Sequence, residues 1–177
     1  YSTFFFPYIH DHEFFKGPKW VEEQIWLQIF VDRFSNGDKS NDPETTLEWG
    51  DKNLSGQTFF GGDLRGIINK LDYIKDLGYT GIYLTPIFLA NSSHKYNTLD
   101  YLTIDPAFGT KEDLKELVEK SHKLGIKVML DAVLNHSSID HKFFQDIISN
   151  KDKSEYLNYY HIRNMDPFDY ETFSNVL

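Results

Sequence analysis

The chain has 177 residues, which is enough for one domain with a sizeable hydrophobic core. Its formal net charge of −9 disfavours nucleic acid and anionic membrane surfaces as partners, and it fits a neutral substrate or a bound cation. The sequence has no cysteine, which excludes disulfides and thiolate sites and fits a reducing compartment such as the cytoplasm. It has no apolar run of membrane-spanning length, so no membrane span is predicted.

The first predicted strand follows an irregular beginning. Residues 1–20 are rich in Phe, Tyr and His and predict a linker from a preceding domain, and a chain that starts with Tyr1 is expected to be a piece of a longer protein. The β-branched and aromatic run Ile-Trp-Leu-Gln-Ile-Phe-Val predicts a buried strand within residues 24–31. An acidic, Asn-rich loop follows to about Phe60.

A helix and a second strand come next. Gly-Gly-Asp at residues 61–63 predicts a helix start with Asp63 as the N-cap, and Gly78 is expected to end that helix. The apolar stripe of this helix consists of Leu64, Ile67, Ile68, Leu71 and Ile74. Gly-Ile-Tyr-Leu at 81–84 predicts the second strand. The loop expected after it carries His94, Tyr96, Asp100 and Tyr101.

The third predicted strand is the apolar run Val-Met-Leu at 128–130, which is expected to be buried and is preceded by a second helix. A capping-box pattern at 110–113 starts this helix and Gly125 ends it. Its apolar face consists of Leu114, Leu117, Val118 and Leu124. The order strand, helix, strand, helix, strand predicts parallel strands with right-handed crossovers. Residues 137–177 leave this alternation and contain a short amphipathic helix around 143–148.

Polar side chains follow the third strand where ligands often bind in α/β folds. They are Asp131, Asn135 and His136. The sequence is equally consistent with a structural role for these residues, in which Asp131 caps a turn and His136 is an ordinary loop histidine. His94 and Tyr96, beyond the second strand, either line a pocket or belong to a surface loop. Aromatic residues make up 16% of the chain, which fits an aromatic core or rings that stack on sugars.

The loop after the first strand is rich in oxygen donors. Its members are Asn36, Asp38, Asn41 and Asp42, with Gly61 and Asp63 further along. Such a set suits a hard cation, although the same residue types are common in solvated turns. The spacing is not that of an EF-hand, because the twelfth position counted from Asn36 is Leu47. The histidine spacing does not indicate zinc, and no phosphate-binding glycine loop or Gly-x-Ser-x-Gly motif is present.

Several motifs together resemble the α-amylase family of glycoside hydrolases. Asp-Ala-Val-Leu-Asn-His at 131–136 resembles the first signature of that family. Other matching segments follow the family's order and spacing: Gln-Ile-Phe-Val-Asp-Arg-Phe-Ser-Asn-Gly-Asp at 28–38, Phe-Gly-Gly-Asp-Leu at 60–64, Leu-Thr-Pro-Ile-Phe at 84–88, His-Lys-Tyr-Asn-Thr-Leu-Asp-Tyr at 94–101 and Ile-Asp-Pro-Ala-Phe-Gly at 104–109. The set is similar to the neopullulanase, cyclomaltodextrinase and maltogenic amylase subgroup.

The resemblance implies an α/β fold, the first three βα units of a (β/α)8 TIM barrel plus the start of the domain inserted after strand 3. The expected division is a linker at 1–20, the partial barrel at 21–136 and the start of inserted domain B at 137–177. No residue here matches the family's nucleophilic Asp or acid/base Glu, which follow later strands. We therefore expect the chain alone to be inactive.

The resemblance also implies roles for individual residues. Tyr96 matches a tyrosine that stacks on the sugar at the cleavage point, and His136 matches a histidine that binds a hydroxyl of the same sugar. Asp131 matches a support residue that positions an arginine from a later strand. The implied Ca²⁺ ligands are Asn36, Asp38, Asn41, Asp42, the Gly61 carbonyl and Asp63.

For the whole protein, the resemblance implies retaining hydrolysis of α-glucans such as cyclodextrins, pullulan or maltooligosaccharides, and it leaves a homodimer open. Two alternatives remain: a non-catalytic barrel of the same family, and an independent sugar-binding α/β domain. The pocket residues Tyr96 and His136 favour an enzyme over the first alternative. The exposed edges of a three-stranded sheet argue against the second.

Overall fold

The computed structural model describes residues 17–52 and 58–162. Most of the predicted linker at 1–20 and the end of the predicted inserted domain, residues 163–177, lie outside these ranges. The helices and strands are α1 (Lys19–Glu22), β1 (Trp26–Ile29), α2 (Leu64–Asn69), α3 (Leu71–Asp76), β2 (Gly81–Leu84), β3 (Phe88–Ala90), β4 (Thr98–Ile104), α4 (Lys111–Lys123), β5 (Lys127–Leu130) and α5 (Lys142–Asn150). Single 3-10 turns lie at Val31–Arg33, Lys39–Asn41, Pro106–Phe108, Lys151–Lys153 and Leu157–Tyr159.

A parallel sheet of order β1-β2-β5 forms the centre of the fold, as the alternation of strands and helices predicts. Trp26 pairs with Gly81, which in turn pairs with Lys127. β1 is shorter than the predicted strand because the chain enters a 3-10 turn at Val31. In this turn, the Asp32 carboxylate accepts hydrogen bonds from the backbone N–H groups of residues 60 and 61.

The two faces of this sheet differ in burial. Ile29, Ile82 and Leu84 point toward the helices and are at most 1% exposed. Each such side chain stabilises the fold by roughly 1.5–3 kcal/mol. Alternation along each strand sends Tyr83 and Met129 to the opposite face, where they are half-buried and exposed respectively. The prediction of a buried third strand is wrong for β5, in which Met129 and Leu130 are both exposed at the edge of the described sheet. Within the described residues, the core therefore lies on the helix side of the sheet.

The predicted helix after Asp63 is correct in position but is not continuous. It consists of α2 and α3, which are separated by Lys70 at φ −109° and ψ 8°. The backbone N–H of Lys70 donates to the Ile67 carbonyl, an i→i−3 bond that tightens the chain at this point. The apolar stripe still faces the core on both pieces, because all its members are at most 6% exposed: Leu64, Ile67, Ile68, Leu71 and Ile74.

The region predicted as a loop after β2 contains an antiparallel hairpin, so that prediction is wrong in part. Strands β3 and β4 pair with Phe88 opposite Ile104 and Ala90 opposite Thr98. His94 and Tyr96 lie in the connection, whereas Asp100 and Tyr101 lie on β4. The register shifts twice within β3, which is only three residues long, and such an element has no periodicity to detect.

The capping box of α4 is confirmed. The Thr110 hydroxyl accepts from the Asp113 backbone N–H at 3.1 Å, and the Asp113 carboxylate accepts from the Thr110 N–H at 2.9 Å.

The Arg65 guanidinium, on α2, binds Asp113 at 2.5 Å and Glu116 at 2.8 Å. Hydrogen bonds from Arg65 and a neighbouring lysine lower the pKa of Glu116 to about 2. These contacts join the two crossover helices.

The predicted amphipathic helix after His136 is α5. The side chain of His141 caps it by accepting from the Phe143 N–H at 3.2 Å, and burial lowers the pKa of His141. Phe144 and Ile147 are buried, while Phe143 stacks on Tyr156 at 4.2 Å between ring centroids. None of the helices in the described ranges has the length and apolar character needed to cross a membrane.

Candidate functional site

Tyr96 and Asp131, predicted to lie near the strand ends, are in direct contact. The Tyr96 hydroxyl donates to Asp131 Oδ2 at 2.7 Å. The Tyr83 hydroxyl, from β2, donates to the same oxygen at 2.5 Å. Sequence reasoning missed Tyr83. Alternation along β2 places its side chain on the non-core face, and Asp131 follows the end of the neighbouring strand β5. The site therefore draws on the hairpin, β2 and the end of β5.

The shared carboxylate contributes to the raised pKa of both phenols. Its hydrogen bond is the main cause that raises the pKa of Tyr83. Burial, followed by the hydrogen bond to Asp131, raises the pKa of Tyr96 well above its usual range. Both phenols are therefore protonated donors at neutral pH, and the protein's own hydroxyls occupy Oδ2 of Asp131.

His136 lies beside Tyr96, as predicted for a shared pocket. Its Nε2 lies 3.0 Å from the backbone carbonyl of Tyr96, and the side chain of Asn135 lies 3.5 Å from its Nδ1. The Tyr101 hydroxyl donates to the His136 carbonyl at 2.7 Å, which fixes the backbone at this point. Residue 136 is itself exposed, so a ligand can reach its ring.

The Tyr96 ring forms one flat wall of this site together with His94. The two rings stack with 6.0 Å between centroids and an interplanar angle of 27°, and His94 Nδ1 accepts from the Tyr96 backbone N–H at 3.1 Å. Burial lowers the pKa of His94, which favours its neutral form. An aromatic face beside an exposed imidazole suits a ligand with apolar C–H patches and hydroxyl groups.

The oxygen-rich loop lies apart from this group and is organised around Asp63. Asp63 is fully buried, and its Oδ1 accepts from the N–H groups of Gly37 at 3.1 Å and Gly66 at 2.5 Å. Its Oδ2 accepts from the Asp38 N–H at 2.8 Å and lies 3.5 Å from Asn41 Nδ2. Asp63 is thus the predicted N-cap of α2 and also the anchor of the loop.

The remaining predicted ligands form a second group in the same loop. Asn36 Nδ2 donates to both oxygens of Asp42, at 2.7 and 2.9 Å. Gly61 has φ +74°, and a Cβ there would overlap Asn36 and Asp42. Asp38 binds the backbone N–H and the hydroxyl of Ser40, and these bonds lower its pKa.

Two amide oxygens test whether this loop fits a cation. Asn36 Oδ1 and Asn41 Oδ1 are buried and have no hydrogen-bond partner. Buried polar atoms without partners are rare, and amide oxygens are ligands that Ca²⁺ accepts. No three His, Cys, Asp or Glu side chains in the described part of the chain converge on one metal position. A cation here would therefore need these amide oxygens in addition to carboxylates, and the residue types present fit Ca²⁺.

The family is established by sequence comparison. The profile of the alpha amylase catalytic domain matches residues 28–175. The chain belongs to the α-amylase family. This confirms the resemblance of its motifs and the predicted fold class, the first βα units of a TIM barrel. The proposed roles of Tyr96, His136 and Asp131, the calcium loop and the domain boundaries at 20/21 and 136/137 stay predictions.

Individual relatives of this α-amylase family chain support the predicted subgroup. It is 51% identical to a maltogenic alpha-amylase of Bacillus acidopullulyticus over 96% of the chain and 54% identical to a cyclomaltodextrinase of Thermoanaerobacter pseudethanolicus over 92%. It spans only 30% and 28% of the length of these two relatives. A solved structure, the cyclic alpha-maltosyl-(1→6)-maltose hydrolase of Arthrobacter globiformis, is 42% identical, with a TM-score of 0.76 over 82% of this chain and 33% of that one.

Proposed function

We propose that these residues form the first three βα units of an α-glucan hydrolase and supply part of its substrate pocket. The observation that carries the proposal is that Tyr96 contacts both Asp131 and His136 at the carboxyl end of the parallel strands. Relatives named maltogenic alpha-amylase and cyclomaltodextrinase support this substrate class. The substrates would be cyclodextrins, pullulan or maltooligosaccharides.

In this proposal the chain binds and orients the sugar. The Tyr96 ring stacks on the sugar at the cleavage point, with its tilt fixed by the hydrogen bond to Asp131. His136 binds a hydroxyl of the same sugar, which would replace the Tyr96 carbonyl as the partner of Nε2. Such contacts accelerate the reaction only if they are stronger in the transition state than in the bound substrate.

The bond-breaking carboxylates would come from strands of the barrel other than β1, β2 and β5. Retaining hydrolysis requires a nucleophile and an acid/base about 5–5.5 Å apart on opposite sides of the bond. Asp131 is already an acceptor for two phenols, which suits support of the pocket and not nucleophilic attack. By this reasoning, the chain by itself would not hydrolyse glucans.

We also propose that the loop from Asn36 to Asp63 binds Ca²⁺ in a structural role. The partnerless amide oxygens of Asn36 and Asn41 support this, together with the carboxylates of Asp38, Asp42 and Asp63 and the Gly61 carbonyl. When bound, the cation would supply the positive charge that holds these oxygens together. The loop itself already fastens the end of β1 to the start of α2 through Asp63.

Substitutions in the full-length protein that carries these residues would test the function. Reducing ends released from cyclodextrin and from pullulan would be assayed for the unsubstituted protein, Tyr96→Ala and His136→Ala. By analogy with the loss of an oxyanion-hole donor, we expect His136→Ala to lower kcat/KM roughly 10²–10³-fold, with little change in melting temperature. Tyr96→Ala should also lower kcat/KM strongly.

Tyr73→Ala and His122→Ala are matched controls, since both side chains are exposed on the outer helices. Neither should change kcat/KM. No turnover of either glucan by the full-length protein would favour the non-catalytic barrel. A lower melting temperature with unchanged kcat/KM would make the substituted residue a part of the core and not of the pocket.

A further inference from the structure

A buried lysine lies directly before Tyr96. Lys95 is only 1% exposed, although a buried ammonium group is costly unless it is paired. It has φ +61°, in the left-handed region that side-chain-bearing residues rarely adopt. A charged, buried residue in an unusual backbone conformation beside a pocket residue requires a physical explanation.

The ammonium group of Lys95 has several partners in the core. Its Nζ lies 2.6 Å from Asp105 Oδ2 and donates to the Ala90 carbonyl at 3.0 Å. It also lies over the rings of Phe59 and Phe108, at 5.3 and 5.0 Å from their centroids. The ion pair and the ring faces compensate the loss of water around the charge.

Asp105 extends this pairing to both strands of the hairpin. Its Oδ2 also accepts from the Ala90 N–H at 3.1 Å, on β3. Its Oδ1 accepts from the Ala107 N–H at 3.0 Å and caps the 3-10 turn that follows β4. The Lys95–Asp105 pair therefore fastens the end of β3, the residue after β4 and the connection between them.

The backbone of Lys95 is also hydrogen-bonded at both its N–H and its carbonyl. Its N–H donates to the Ser92 hydroxyl at 3.1 Å, and its carbonyl accepts from the Thr98 hydroxyl at 3.4 Å. The Lys95 side chain enters the core, while the hydroxyl of the next residue, Tyr96, binds Asp131 in the site. A shift of Lys95 would thus be transmitted through one peptide bond to the Tyr96 ring.

We propose that Lys95, through its ion pair with Asp105, is a positioning residue that holds the Tyr96 ring where it stacks on the sugar. This inference rests on the proposed function of Tyr96. A buried ion pair often contributes little net stability compared with an apolar pair of equal volume, and in some proteins such a pair serves to fix geometry. That property suits a residue that sets the position of a ring and does not touch the substrate.

A double-mutant cycle in the full-length protein tests the coupling. Lys95→Met, Tyr96→Ala and the combined variant would be compared by kcat and KM for cyclodextrin hydrolysis. Misplacement of a pocket group by about 1 Å can cost roughly 100-fold, so Lys95→Met should lower kcat/KM about 10- to 100-fold. In the Tyr96→Ala background, the same change should have an effect of less than about threefold, because the ring it positions is gone.

A second variant separates positioning from stability. Lys95→Met combined with Asp105→Asn removes both buried charges, so the melting temperature should recover relative to Lys95→Met alone. We expect kcat/KM to stay low, since the geometry of the pair is lost. This variant also enters the cycle with Tyr96→Ala if Lys95→Met does not fold. Lys115→Met is the control, because the Lys115 side chain is 77% exposed.

The outcomes distinguish the two proposals. If Tyr96→Ala leaves kcat/KM unchanged, the proposed role of Tyr96 is wrong and the positioning role falls with it. If Tyr96→Ala lowers kcat/KM but the Lys95 effect is additive to it, only the positioning role is wrong. Recovery of kcat/KM together with the melting temperature in the doubly neutral variant would also overturn it.

Discussion

Tyr96 donates its hydroxyl hydrogen to Asp131 across 2.7 Å, although the two residues are 35 positions apart in the chain. This bond joins the β3–β4 hairpin to the end of β5. Tyr83 adds β2 by donating to the same oxygen. Three separate elements therefore fix one carboxylate, and through it they fix the ring that we propose stacks on the sugar.

Tyr83→Phe should weaken this hydrogen-bond network while the aromatic ring stays in the site. The substitution removes one hydrogen bond to Asp131 and leaves the ring in place, so we expect a loss of about 1 kcal/mol in the free energy of unfolding. Denaturant unfolding of the full-length protein would measure the loss. Tyr73→Phe, at an exposed position of α3, should change the stability by less than about 0.5 kcal/mol. Equal effects of the two substitutions would contradict a supporting role for Tyr83.

The raised phenol pKa values predict a loss of stability in alkali. A folded-state pKa above the unfolded value of about 10 means that the fold favours the neutral phenol of Tyr83 and Tyr96. The stabilisation is fully present below about pH 10 and is lost as the pH rises through the folded-state pKa. Ultraviolet titration of phenolate formation in the full-length protein should show tyrosines that ionise late, with Tyr83 and Tyr96 among them, because the pKa values of Tyr101 and Tyr156 are raised as well.

Asp131→Asn is the control for this titration. It removes the negative charge that opposes phenolate formation and keeps an oxygen acceptor. The ionisations of Tyr83 and Tyr96 should then move toward those of exposed tyrosines, because the hydrogen bond to Asp131 is the leading cause of the raised pKa of Tyr83 and the second cause at Tyr96. Titration curves unaffected by Asp131→Asn would assign the shifts to burial alone.

The parallel sheet was predictable because several local signals agree. Apolar runs mark β2 and β5, the side chain of Asp63 caps α2, and Thr110 with Asp113 closes a capping box at α4. The N-cap of a helix needs only residues close in sequence. Such elements can therefore be recognised without any knowledge of the tertiary structure.

The hairpin and the burial of Lys95 were not predictable in the same way. β3 has three residues and an irregular register, so it carries no periodic signal. Lysine in a connection is exposed by default, and its burial depends on Asp105, ten positions away. The pocket pair Tyr96 and His136 was predicted only through the family resemblance, because their contact joins residues 40 positions apart.

Asp63→Ala should be much more destabilising than another N-cap substitution. Loss of a cap costs about 0.5–2 kcal/mol, and Asp63 also accepts from the N–H groups of Gly37 and Asp38. We expect a total loss of about 3 kcal/mol, since the Gly66 N–H is buried and a buried donor left without a partner costs roughly 1–3 kcal/mol, while the bonds from Gly37 and Asp38 each contribute about 1 kcal/mol. Denaturant unfolding of the full-length protein would measure it.

Thr110→Ala is the matched comparison, because Thr110 caps α4 at an exposed position. Its cost should be about 1 kcal/mol, the usual value for an N-cap. A similar loss for the two variants would mean that Asp63 acts only as a helix cap and does not anchor the loop.

Calcium should stabilise the full-length protein through the loop around Asn36 and Asp42. A ligand that binds only the folded state adds RT ln(1 + [L]/Kd), about 2.7 kcal/mol when the ion is a hundredfold above Kd. The melting temperature should therefore fall by several degrees in chelator and return when calcium is added. Differential scanning calorimetry with and without chelator would measure this change.

Asp42→Asn separates calcium binding from the packing of the loop. The substitution keeps the size of the side chain beside Asn36 and Gly61 but removes one negative charge from the proposed site. The difference in melting temperature between calcium and chelator should shrink in this variant, whereas Asp76→Asn, at an exposed position of α3, should retain it. Added magnesium should not replace calcium, because it requires tighter octahedral geometry. A melting temperature indifferent to chelator, with no metal in the purified protein, would make this loop an ordinary solvated turn.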